Sequence, residues 1–145
     1  RRSRAVIHTH PPNLIALTYA LVLDTTSLTR LLWEMHTECI VVFPMGCGFV
    51  EWRLPGSEDL ARTTERIMER RSLALWQYHG IVATGRDLDR AFGLIETAEK
   101  AAEIYLKAAA LGPVERRLDS DQLTALARRF GVDPDPEILA GGEPR

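Results

Sequence analysis

Short β-prone apolar runs alternate along the chain with stretches in which apolar residues recur every three or four positions. AVIHT reads as a short strand, apolar from Ala5 to Ile7. PPNLIALTYALVL follows as a helix, with its prolines in the first turn, where no amide donor is missed. TTSLTRLLWEM predicts a second helix, capped by Thr26 or Ser27. CIVVF is a run of β-formers and predicts a buried strand. PMGCGFVEWRLPGS, punctuated by Gly and Pro, reads as a loop with a short strand at most. Ser57 then caps a helix whose first turn carries Glu58 and Asp59, and which runs toward Arg71.

SLALWQYHGIVATG supplies strand material on both sides of His79 and Gly80. Asp87 caps the longest helix, with Ala91, Phe92, Ile95, Ala98, Ala102, Tyr105 and Ala109 as its inward face and Gly112–Pro113 as its stop. SDQLTALARRFG is a further helix, ended by Gly131. Residues 133–145, rich in Pro, Gly and acid, are expected to form a flexible tail after a domain spanning 1–132. Interleaved strands and helices place the chain in the α/β class, with segments between strands long enough to cover both faces of a sheet.

Composition narrows the function. A 145-residue chain that is 46% hydrophobic can build one real core. The net charge of −2 and the lack of long basic blocks argue against nucleic acid as a partner. No apolar run reaches the length of a membrane span, so no membrane partner is expected and the expected location is the cytoplasm. Cys39 and Cys47 are the only cysteines, without a C-x-x-C, and read as buried thiols in a reducing compartment. The chain starts without Met just before its first strand, and we expect an N-terminal portion to precede it.

The candidate chemistry lies in the histidines, of which there are four. His8 and His10 sit two apart in a strand and therefore project to one side. That spacing alone leaves open a metal pair and two incidental histidines. His79, beside Gly80 at a strand end, offers a third imidazole, and glycine there permits close backbone approach. Three neutral imidazoles with an open position suit a catalytic zinc, a Lewis acid toward a carbonyl. His36, two residues before Glu38, is a weaker candidate, since a histidine at a helix end commonly serves local carbonyls.

AVIHTH, NLIALTYAL, TRLLWEMHTECIVVFPMGCG, LPG, LWQYHG and FGLIETAEKAAEIYLK, in this order, resemble the class II sugar-phosphate aldolases. The resemblance runs from Ala5 to roughly Val132, and LWEMHTEC and VVFP favour the branch acting on rhamnulose phosphate. It implies a three-layer α/β/α sandwich around a largely antiparallel sheet, and a homotetramer with active sites between subunits. It implies His8, His10 and His79 as ligands of one Zn2+ per chain, and a ketose 1-phosphate cleaved to dihydroxyacetone phosphate and lactaldehyde. Glu38 matches an acid that reaches a neighbouring subunit's site and moves a proton at the aldehyde oxygen.

The family's general-base Glu and its phosphate-binding residues match nothing in this chain. The resemblance is therefore to the C-terminal, metal-binding part of the enzyme, and the segment alone is expected to be poor or inactive. Three alternatives compete with this reading. A fuculose-phosphate aldolase or pentulose-phosphate epimerase shares the histidine set. A lysine-dependent aldolase would need Lys100 or Lys107, the only lysines, which lie on one helix face as an ordinary charged stripe. A non-catalytic scaffold of the same fold would have little reason to keep the three histidines and Glu38. Trp33, Trp52 and Trp76 read as packing residues rather than a sugar pocket.

Overall fold

The computed structural model describes residues 3–141. Four strands form one sheet in the order β1-β4-β3-β2: β1 Ala5–Thr9, β2 Gly48–Val50, β3 Leu73–Trp76 and β4 Gly80–Gly85. β1 and β3 both pair antiparallel with β4, and only the short β2 runs parallel to its neighbour β3. The sheet is thus largely antiparallel, as the resemblance implied.

One face of the sheet carries Ala5, Leu73, Leu75, Ile81 and Ala83 into the main core. Helices α1 (Pro12–Ala20), α2 (Thr25–Met35) and α5 (Leu88–Leu111) contribute Leu14, Leu17, Leu28, Leu32, Leu94 and Ala98 to the same core. On the opposite face α4 (Glu58–Met68) packs over β2 and β3. A β-carbon at Gly48 would fall onto Ile67 of α4, so the absence of a side chain there lets the helix lie close. The outer face of β1 stays open, and Val6 is 65% exposed.

The cap of α1 comes from another element. Pro11 at its N-cap makes no side-chain cap bond. Instead the Glu99 carboxylate of α5 accepts from the Asn13 amide (2.9 Å), the Asn13 side-chain amide (2.7 Å) and the Leu14 amide (2.9 Å). The two backbone amides are orphan donors of a first turn, and an anion there also complements the helix dipole. Glu99→Ala leaves them without partner in a part-buried place. It is expected to lower stability by about 1–3 kcal/mol, read as a reduced urea midpoint.

Four sequence expectations are corrected. CIVVF is not a strand: Glu38–Val42 forms the short helix α3, packed between α5 and α6 (Ser120–Phe130). A five-residue apolar run is compatible with either period, and here the helical neighbours override the β propensity. The cap of α2 is Asp24, which accepts from the Ser27 amide while the Ser27 hydroxyl accepts from the Asp24 amide. On α5, Phe92 (58% exposed) and Ala109 face outward, and Leu94 and Ala101 take the inner positions instead.

Finally, most of the expected tail is folded. Helix α7 (Pro136–Ala140) buries Ile138. Asp135, 1% exposed, pairs with Arg71 at 3.1 Å, and its amide donates to the Pro44 carbonyl. Arg30, paired with Glu34 at 2.7 Å, also donates to the Leu139 carbonyl and ties α2 to α7. Residues 142–145 of that expected tail lie outside the described residues.

Candidate metal centre

Strand register builds the site. His8 lies opposite Val82, and Val82 opposite Ala74, so these three share one face. One row further along the same face, Gly80 lies opposite Trp76. His10 follows just past the end of β1, and His79 sits in the three-residue turn from β3 to β4. Gly80 therefore lies beside His8 and His10 and opposite Trp76, and contributes no side chain among them.

The empty space is required. A β-carbon at Gly80 would lie 2.5 Å from the Thr9 carbonyl oxygen, 2.8 Å from His10 Cδ2 and 3.2 Å from His8 Cε1. The turn itself is held in an uncommon conformation. Tyr78 has φ 63°, the left-handed region in which a bulky residue is strained. Its amide donates to the buried hydroxyl of Thr18, which secures the turn to α1.

His8, His10 and His79 each offer one ring nitrogen, and the three nitrogens lie within 4.8 Å of one another. His8 Nδ1 stands 3.0 Å from the Ile81 carbonyl oxygen. A carbonyl can only accept, so Nδ1 bears a proton, and in the neutral ring Nε2 is the nitrogen that carries the lone pair. A second ring nitrogen fixed in this way is the usual support of a metal-bound imidazole. His79 is held below its ordinary value of 6.5, by burial first and then by His8 and His10 beside it. It is therefore neutral, with a lone pair available, near pH 7. The donor set is three imidazoles, converging and open to solvent on one side, which fits a divalent cation of borderline softness.

Other candidates fall outside this group. Glu38 stands exposed in the first turn of α3, and His36 forms the C-cap of α2; neither is among the converging ligand atoms. Lys100 and Lys107 both pair with Glu103, at 3.0 and 2.7 Å, as a charged stripe on α5. Cys39 and Cys47 are free and buried, and burial pushes the Cys47 thiol up to about 12. Trp33 is core and Trp52 is exposed. Trp76 departs from the packing role expected of it, since its indole lies against His8 and His79. Its position three residues before a histidine in a strand gives no local sign of this, because the contact to His8 depends on strand order.

Residues 1–106 match the model of the Class II Aldolase and Adducin N-terminal domain. The chain belongs to this family. The rhamnulose-1-phosphate aldolase of Pectobacterium atrosepticum is 50% identical over 133 residues, covering 92% of this chain and 48% of that protein. The enzyme of the same name from Escherichia coli O157:H7 is 45% identical over 139 residues, covering 96% of this chain and 51% of its own. A sugar-phosphate aldolase from Thermotoga maritima superposes with a TM-score of 0.68 at 37% identity, over 77% of this chain and 47% of that one. The chain spans about half the length of the curated class II aldolases it matches. No helix among the described residues is long and apolar enough to cross a membrane.

Proposed function

We propose that this chain is the metal-binding part of a class II aldolase that cleaves L-rhamnulose 1-phosphate to dihydroxyacetone phosphate and L-lactaldehyde. The observation that carries this reading is the convergence of His8, His10 and His79 within 4.8 Å, in a chain about half identical to rhamnulose-1-phosphate aldolases. In this reading the three histidines hold one Zn2+ per chain. When bound, the ion supplies Lewis-acid polarisation of the substrate's oxygens.

The chain's own residues do the rest. The Ile81 carbonyl accepts from His8 Nδ1, and Gly80 leaves the space that the His8 and His10 rings approach. Glu38, exposed and apart from the histidines of its own chain, supports a role in the site of a neighbouring copy, as in a homotetramer with sites between subunits. There it would hold or release the proton at the aldehyde oxygen. A cytoplasmic location is part of the same reading.

The test couples dihydroxyacetone phosphate release to NADH oxidation, with rhamnulose 1-phosphate and fuculose 1-phosphate compared in a protein of the relatives' full length. Rhamnulose 1-phosphate is expected to be cleaved faster, and chelation to abolish turnover. Glu38→Ala is expected to keep its zinc and lose about 100-fold or more in kcat, the usual scale for one acid–base group. Loss of zinc in that variant would show that Glu38 supports the metal instead.

A further inference from the structure

The outer rim of the histidine cluster contains an aromatic residue with an anchored polar end. The Trp76 indole lies 4.7 Å from the His8 ring, centroid to centroid and tilted by 35°, and 5.2 Å from the His79 ring. Its Nε1 donates to the Thr64 hydroxyl at 2.9 Å. That hydroxyl donates in turn to the Leu60 carbonyl at 2.7 Å. Thr64 is 9% exposed and sits on α4, the helix that packs over β2 and β3. A hydroxyl can accept one bond and donate another, so this chain of contacts is fully satisfied. It runs from the α4 backbone through Thr64 and Trp76 to two of the three imidazoles.

We propose that Trp76, braced by Thr64, is a positioning residue that fixes the His8 and His79 rings for metal binding. The proposal rests on the three-histidine reading above. The physical reason is preorganisation. His8 has its Nδ1 fixed by the Ile81 carbonyl, yet its ring is on an exposed face of β1. His79 stands in a strained turn and is only half-buried. Without a wall, both rings would lose rotamer freedom when a metal binds, and that entropy would weaken affinity. The indole is a rigid plane that touches both rings, and the Thr64 bond keeps it from swinging out. Removing supports of this kind around a metal ligand typically weakens affinity about 10–100-fold.

Cobalt(II) titration of the full chain tests this, read in the visible spectrum and by indole emission. Native chain is expected to bind one cobalt per chain with quenching of Trp76 emission. Trp76→Leu is expected to weaken binding about 10–100-fold. Trp76→Phe keeps a ring but loses the N–H and is expected to fall between the two. Thr64→Val touches no histidine, yet it is expected to weaken cobalt binding in the same direction. Its effect is expected to shrink in the Trp76→Phe background, because both changes remove one bond. A role confined to packing would lower the unfolding midpoint while leaving cobalt affinity unchanged.

Should Trp76→Leu fail to fold, Trp76→Phe and Thr64→Val carry the comparison, since the first keeps an aromatic ring in place and the second keeps the shape of the side chain. Native cobalt affinity in both of those folded variants overturns the proposal. A native chain that takes up no cobalt, behaving like His79→Ala, overturns the three-histidine reading together with it.

Discussion

His79→Ala is expected to leave the chain folded and nearly free of zinc. The reading predicts about one zinc per native chain, held by three protein ligands. Removing one ligand leaves a two-imidazole site that cannot hold zinc through gel filtration. The loss in affinity is expected to exceed the roughly 100-fold that loss of a supporting partner costs. Metal analysis of the purified variant checks this, and full zinc occupancy would show that His79 is no ligand. The fold should survive, because His79 lies in a turn outside the core cluster.

Acid should mimic the substitution in native chain, since protons compete for the same lone pairs. His79 is held below 6.5, so it stays neutral further into the acid range than a free histidine. The same sign applies to stability. Below the unfolded value, the unfolded chain gains a proton that folded His79 resists, so acidification through that range destabilises the apo fold.

Gly80→Ala is expected to damage both the fold and the metal site. The new carbon would sit 2.5 Å from the Thr9 carbonyl oxygen, a backbone atom of the paired strand β1. A flexible side chain could move aside, but the carbonyl moves only if β1 and β4 separate. Overpacking of this kind costs about 1–3 kcal/mol. We expect the upper end in urea denaturation, together with loss of zinc, because His8 and His10 are displaced with β1. Gly93→Ala supplies the contrast. Gly93 is inside α5 with nothing within 4 Å of its would-be β-carbon. There alanine is expected to stabilise the chain by about 0.5–1 kcal/mol, since only the backbone entropy term remains. Equal effects at the two positions would contradict the packing argument at Gly80.

Local patterns made much of this protein legible. The H-x-H spacing put His8 and His10 on one face because strand side chains alternate, and β1 follows that alternation from Ala5 to His8. Asp87 and Ser57 were readable as caps because their partners lie three residues away, and both bonds are present. Where the deciding partner is distant in sequence, local reading failed. CIVVF became a helix because α5 and α6 flank it. Residues 134–141 folded because Asp135 meets Arg71 across 64 positions. α1 is capped by Glu99, 86 positions from Asn13.

The site divides along the same line. By itself the sequence determined which groups could ligate a metal, and it placed two of them side by side through strand periodicity. Only the tertiary structure brought His79 to them, through the antiparallel pairing of β1 with β4. The same pairing left Gly80 vacant among the rings and set Trp76 against His8. Periodicity acts over a few residues and is written locally, whereas strand order and register arise from burying one sheet face against α1, α2 and α5, which involves the whole chain at once.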